Sequence, residues 1–363
     1  MKNRIIFLCN AEEETRERAG YASAFRSLGY EIVFVGDEHS FDRNINAYED
    51  EIFCIIHPDP LLSFHTINLW NYDIPNIIFQ FDTYTLVDQR IEASKPYDIQ
   101  VVCHAGYANL YNERGCKNVI TLPHCIDNTM FQKNDLKITN QRKLDIGWVG
   151  RYDAHFYKFR REVLRVLQSS NWNMNNPKIN YSWREMFEIF LNSKAVVNAS
   201  RDDFDCDANL RCFEAMGCGA LLFTKLPSEL SEFGYKDGIH FVGYETIDDL
   251  INKLDYYLNN QVERELIADR GKKITLEKHT YLNRCQAIIN YINSHGNSII
   301  SANNFRNLTF KNKWYHIYFS HYKDANLKWI LTSFFNNSFK NQILLLPRTL
   351  CITLRIIKRR LFN

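Results

Sequence analysis

The chain has 363 residues, 45% hydrophobic and 24% charged, with 44 Lys and Arg against 42 Asp and Glu. That length suits two domains with a further segment, and the near-balance of charge gives no global reason to expect nucleic acid. Its ten cysteines stand singly, without a CxxC pair, which excludes a clustered-thiolate zinc site and favours buried free thiols in a reducing, cytoplasmic setting.

In chain order, "MKNRIIFLCNAEEE" has an apolar run too short for an export signal and reads as a first β-strand. "TRERAGYASAFRSLG" follows, with Ala19, Ala22, Phe25 and Leu28 on one helical face. Apolar runs then recur at Glu31–Val35, Phe53–His57, Asn76–Phe81, Ile99–His104 and Asn118–Pro123. Continuous rather than alternating runs, separated by helix-like segments, predict a parallel sheet covered on both faces. The first unit is therefore a doubly wound α/β domain over residues 1–140.

The polar stretch Gln132–Lys143 reads as a linker, after which the alternation restarts. "LDIGWVG" (Leu144–Gly150), a helix through "FRREVLRVLQ", "AVVNAS" (Ala195–Ser200) and "HFVGY" (His240–Tyr244) define a second Rossmann-like unit over residues 141–296. Two acid-led helices close it, the first starting at Thr246, whose hydroxyl suits an N-cap. Residues 297–363 form a basic, aromatic extension. Its end, Ile343–Asn363, carries Arg348, Arg355, Lys358, Arg359 and Arg360 without an acid. A basic amphipathic helix there suits an anionic membrane surface, while packing on the domains or an oligomer contact is the plainer alternative. No apolar run is long enough to cross a bilayer.

Ligands of open α/β sheets bind at the carboxyl ends of strands, which singles out Asn10, His57, Asp82, His104, Arg151, Ser200–Asp207 and Lys225. In "GWVGRYDAHFYKFRREVL", Arg151 and Lys158 lie between a strand end and a helix start, an arrangement that suits a pyrophosphate. Surface bases on a helix are the alternative. In "NLRCFEAMGCGALLFT", a helix over Asn209–Gly217 places Arg211 and Glu214 on one face, and Gly217 and Gly219 allow backbone to approach a ligand. A Glu there suits two ribose hydroxyls; an Arg211–Glu214 ion pair with a glycine cap is the competing reading. Neither a GxGxxG nor a Walker loop appears.

These last stretches, with "SELSEFGYKDGIHFVGYETIDDLINKLDYYL" and "ERELIADRGKKITLEKHTYLNR", resemble the carboxyl-terminal half of GT-B glycosyltransferases of the GT4-like group. The likeness is greatest to the CgeB/YkvP-like branch. It covers about residues 144–290, and the amino-terminal half is matched only loosely. The resemblance implies two Rossmann-like domains facing a cleft, with a nucleotide-diphosphate sugar as donor and a saccharide or lipid-linked saccharide as acceptor. It implies Glu214 on the ribose, Arg151 and Lys158 on the diphosphate, and backbone at Cys218, Gly219, Ala220 and Leu221 near phosphates or ribose, with Asn209 and Arg211 in the same nucleotide-binding set. It also implies His104 as a strand-end imidazole toward the acceptor hydroxyl.

One position departs from the family pattern. Eight residues before Glu214, where the group has another Glu, stands Cys206, flanked by Asp205 and Asp207. This Asp-x-Asp is also a literal metal-holding pair, but tandem Rossmann-like domains argue against that use, so neither metal nor cofactor is expected. The expected activity is hexosyl transfer, with retention, in surface polysaccharide or glycoconjugate synthesis, on the cytoplasmic side and at the inner face of the membrane. Nucleotide-sugar epimerisation on the same fold, or a non-catalytic role in assembling an envelope or spore layer, are the alternatives.

Overall fold

The computed structural model describes residues 2–10, 16–58, 66–127, 129, 141–202 and 207–316, and then 342, 343, 345–347, 349, 350 and 353. The first unit comprises β1 (Arg4–Phe7), α1 (Arg16–Ser27), β2 (Glu31–Phe34), α2 (Glu38–Tyr48), β3 (Ile52–His57), β4 (Asn76–Gln80), α3 (Val87–Ser94), β5 (Ile99–Val102), α4 (Ala105–Glu113) and β6 (Val119–Thr121). Its strands form one parallel sheet in the order β2-β1-β3-β4-β5-β6. The order reverses between β1 and β3, as a doubly wound sheet requires.

Side chains on successive strand positions feed opposite faces. Ile5 and Phe7 join one core with Tyr21 and Phe25, whereas Ile6 and Leu8 join the other with Phe41 and Ile45. This is why the runs are apolar throughout rather than alternating: both faces are covered. Each such Ile, Leu or Phe contributes roughly 1.5–3 kcal/mol by leaving water.

The second unit comprises β7 (Leu144–Gly147), α5 (Lys158–Ser169), α6 (Trp183–Leu191), β8 (Ser193–Asn198), α7 (Leu210–Gly217), β9 (Leu221–Lys225), β10 (Val242–Tyr244), α8 (Ile247–Asn259) and α9 (Gln261–Lys278). Its sheet is parallel in the order β10-β9-β8-β7. The described strands thus run in simple sequence, without the reversal of a doubly wound sheet, though helices cover both faces through two separate cores. Thr246 caps α8 by accepting from Asp249 N at 3.1 Å, and Ser182 with Glu185 forms a capping box on α6. Of the linker, Arg142 is fixed by donating to the carbonyls of Phe190, Leu191, Ser193 and Cys218; residues 132–140 lie outside the described residues.

The chain passes between the units twice, and the two passes are stitched together. Ile126 N donates to His279 O at 3.0 Å, and Tyr281 N donates to Ile126 O at 3.3 Å. Arg284 donates to Pro123 O at 2.8 Å and to His124 O at 3.2 Å. Helix α10 (Tyr281–His295), which the sequence groups with the second unit, packs on α1 of the first. The reason is its stripe of Cys285, Ile288, Ile289 and Ile292, at helical spacing, which enters the core of Tyr21, Ala24 and Phe25.

Short helices α11 (Asn297–Ser301) and α12 (Phe310–Tyr315) follow. Phe305, Trp314 and Leu345 join the core that β1 and α2 share, so part of the basic extension packs onto the first unit. No helix among the described residues is long and apolar enough to cross a membrane.

Candidate functional site

The carboxyl ends of the two sheets face each other, and contacts from both close the space between them. From the first unit come His104, which follows β5 and precedes α4, and Tyr84, which follows β4. From the second come Arg201, after β8, and Glu229, which opens the 3₁₀ turn Glu229–Phe233 after β9. Glu229 Oε2 lies 2.7 Å from His104 Nδ1, and Glu229 Oε1 accepts from Ala105 N at 2.8 Å. The Arg201 guanidinium lies 5.0 Å from the Tyr84 ring and 3.7 Å from the Phe156 ring. Tyr84 in turn donates to Asp82 Oδ1 at 3.1 Å. Its ring and that of His124 flank His104 at 6.0 and 5.7 Å.

A buried polar network supports the second unit's side of the cleft. Asn209 is the N-cap of α7, accepting from Arg211 N at 3.1 Å, and its Nδ2 donates to Asn198 Oδ1 at 2.9 Å. Arg211 donates to Asn198 Oδ1 and to Val149 O, both at 2.8 Å. Burial, with the neighbouring charge of Arg160 adding to it, lowers its pKa to about 10. These bonds, rather than a salt bridge with Glu214, fix the Arg211 side chain. Gly150, at φ +153°, makes room for it: a Cβ there would stand 2.1 Å from Arg211 Nη2.

Asp207 accepts from Thr224 Oγ1, from Ser228 Oγ at 2.8 Å and from Glu229 N at 2.7 Å. Burial pushes its carboxyl up, against the pull of those bonds. Asp207 thus shapes the turn that carries Glu229, and is spent on that turn rather than offered to a sugar. Asp205 and Cys206 lie outside the described residues.

Arg151 and Lys158 occupy the connection from β7 to α5, and both side chains are exposed. Arg160 holds the loop by donating to Arg151 O and, at 2.7 Å, to Ala199 O. The N-terminus of α5 is already occupied. Asp202 accepts from Lys158 N at 2.6 Å and Phe159 N at 2.9 Å, so the chain's own carboxylate takes the donors that the sequence assigns to a phosphate.

Glu214 lies in mid-α7 and is 3% exposed. Its charge adds to the burial that pushes up the Cys218 thiol and also acts on Cys125 and Tyr281, which flank the passage between the units. Gly217 serves that same passage, since its missing Cβ leaves the space filled by Ile126 Cδ1 at 2.3 Å.

Not every expected residue reaches the cleft. Cys218, Gly219, Ala220 and Leu221 lead into the start of β9, which is level with Ala195 of β8. Arg142 binds both Ser193 O and Cys218 O, placing the segment at the amino edge of the sheet. About five strand residues, or roughly 16 Å, separate that edge from Asn198. Because α7 runs antiparallel to the strands, its first turn, at Asn209–Arg211, meets the cleft and its last turn leaves it. His57 is buried beside Tyr97 in the first unit, and Lys225 lies over the Phe159 ring. Glu229 was missed by the sequence reading. The strand-end rule that singled out Lys225 would have reached it four residues further on, past Pro227.

Residues 149–290 match the family model described as "Glycosyl transferase-like". No curated protein matches the chain by sequence. Among solved structures, Anabaena Alr3699/HepE in complex with UDP-glucose is 10% identical, with TM-score 0.54 over 80% of this chain and 99% of that one. The sucrose-phosphate synthase of Thermosynechococcus elongatus is also 10% identical, with TM-score 0.54 over 83% and 100%. An alpha-glucosyltransferase in complex with UDP-glucose and DNA containing an abasic site is 14% identical, with TM-score 0.53 over 79% and 99%. At these identities the likeness is one of fold: two parallel α/β sheets, consistent with GT-B.

Proposed function

We propose that the chain is a glycosyltransferase moving a sugar from a nucleoside-diphosphate sugar to a saccharide acceptor across the cleft between its sheets. One observation carries this reading. Within the stretch that matches the Glycosyl transferase-like model, Arg151, Lys158 and the first turn of α7 lie at the carboxyl edge of one sheet, opposite His104 of the other. Arg151 and Lys158 take the charge that grows on the departing diphosphate, where a divalent cation is not required. Glu214 holds the ribose hydroxyls, and His104 meets the acceptor hydroxyl. Transfer proceeds with retention, as in the group the sequence resembles, and the chain is assigned to the CgeB/YkvP-like branch on that resemblance. Entry of the donor to Glu214 requires the cleft to open, which breaks the contacts of Glu229 and Arg201 with the first unit.

A thermal-shift screen over nucleoside diphosphates and their sugars tests the reading, and binding of none of them overturns it. With the bound nucleotide known, Glu214→Ala is expected to raise its Kd roughly 10–100-fold, from the loss of hydrogen bonds to a charged acceptor. An unchanged Kd removes Glu214 from the ribose. Sugar-nucleotide conversion without any acceptor makes the chain an epimerase instead.

The acceptor side extends the proposal. Eleven bases and one acid follow residue 300, against 33 bases and 41 acids before it. Leu345 and Thr349 are buried while Ile343, Leu346 and Leu350 are exposed, so the extension is anchored through Leu345 and presents an apolar set of its own. Its partner is an anionic lipid surface at the cytoplasmic face, where a lipid-linked saccharide for surface polysaccharide is the acceptor. The double variant Leu346→Glu, Leu350→Glu leaves the Leu345 anchor in place. It is expected to lose binding to vesicles of mixed anionic and zwitterionic lipid; full retention of binding refutes the surface.

A further inference from the structure

The contact between Glu229 and His104 joins residues 125 positions apart and belonging to different sheets. It is a built contact rather than a chance one. Both partners are nearly fully buried, with side chains 6% and 1% exposed. Glu229 uses both oxygens, one on His104 Nδ1 and one on Ala105 N. Its own backbone is fixed by Asp207, whose other acceptor sites take Thr224 and Ser228. A chain of hydrogen bonds therefore runs from the end of β9, through Asp207 and the turn at Ser228–Glu229, to the imidazole that ends β5.

We infer that Glu229 is a positioning residue for His104, and that the two domains assemble this pair only when the cleft is closed. The inference rests on the reading of the chain as a glycosyltransferase with His104 at the acceptor. A carboxylate on Nδ1 fixes the proton there in the neutral ring, which leaves Nε2 as the hydrogen-bond acceptor. The same carboxylate fixes the ring's rotation, the role such an orienting acid plays in other acid–base pairs. Since Glu229 comes from the second unit, which carries the proposed donor residues, His104 acquires its tautomer and orientation only when that unit docks. Closure and readiness at the acceptor hydroxyl are one event.

Two readouts on Glu229→Ala and Glu229→Gln test this, using the full chain. The first is the nitrogen-15 spectrum of the His104 imidazole, identified by its disappearance in His104→Asn. The wild type is expected to show the Nδ1–H tautomer and Glu229→Ala to lose it, while in Glu229→Gln a single acceptor oxygen serves both His104 Nδ1–H and Ala105 N–H, so the Nδ1–H signal should be reduced. This readout needs no substrate, so it stands even if no nucleotide sugar is turned over and the glycosyltransferase reading falls.

The second readout is steady-state kinetics. Glu229→Ala is expected to lower kcat roughly 10–100-fold, as removing a ligand's orienting partner does elsewhere. The donor KM should stay near wild type, and Glu229→Gln should fall between. An unchanged imidazole spectrum in Glu229→Ala overturns the inference, as does wild-type kcat. So does a loss of nucleoside-diphosphate affinity as large as the loss of kcat, which would make Glu229 part of the donor site.

Discussion

Arg151→Ala is expected to lower kcat by about 10²–10³, the cost of removing one preorganised contact to charge that develops on a leaving group, about 3–4 kcal/mol. The α5 N-terminus is capped by Asp202, so its first N–H groups and part of its dipole are already satisfied. Arg160 and Arg211 are buried and committed to carbonyl and amide oxygens of the protein. Of the Lys and Arg side chains from the end of β7 to the first residue of α5, Arg151 and Lys158 are exposed and open to a diphosphate. Arg151→Lys should recover only part of the rate, because an ammonium does not reproduce a two-pronged guanidinium contact. Thermal unfolding should be little changed in either variant, since the side chain is exposed. Near wild-type turnover in Arg151→Ala would sink the assignment.

The β strands were legible because a strand buried on both faces is mostly apolar along its length, and these runs are shorter than helices and lie between helix-like segments. The helix at Glu214 was legible too: it spans Leu210–Gly217, one residue short of the expected Asn209–Gly217, with Asn209 as its N-cap. What the sequence could not order was direction. Glu214 and the Cys218–Leu221 segment are neighbours in the chain, yet α7 runs antiparallel to β9, so the segment lies at the far edge of the sheet. Gly217 shows the same ambiguity, because a missing Cβ admits a ligand or a neighbouring side chain equally well, and here it admits Ile126.

Pairings across the cleft left no local trace. Glu229 and His104 are set together by the docking of two sheets, and Asp202 reaches α5 from 44 residues away. The return of α10 to the first unit was written in its apolar stripe, but nothing in the stripe says which of two cores it enters.

Arg306→Ala is expected to destabilise the protein by about 3–5 kcal/mol, the usual cost of stripping one partner from a buried ion pair. Arg306 ties the start of the extension to the first unit. Its Nε donates to Asp98 Oδ1 at 3.1 Å and its Nη2 to Asp98 Oδ2, while the same guanidinium donates to Tyr72 O and, at 2.9 Å, to Ile74 O. Asn303 adds a bond to Asp98 Oδ1 at 2.8 Å, and Asp98 Oδ2 accepts from Asn76 N at 3.0 Å. Even with these partners, burial outweighs them and raises the Asp98 carboxyl above its ordinary value.

The sign of the pH dependence follows. A carboxyl whose folded pKa is raised contributes most when protonated, and that contribution is lost as pH rises through the folded value. Removing Arg306 takes away two of the influences that lower the Asp98 pKa, the hydrogen bond and the charge, so the folded value climbs further. The deficit of Arg306→Ala should therefore be largest at neutral pH and shrink as pH falls and Asp98 takes up a proton. Chemical denaturation of wild type and variant at neutral and acidic pH measures it. A deficit that stays constant or grows on acidification contradicts the assignment of the loss to a buried, unpaired Asp98.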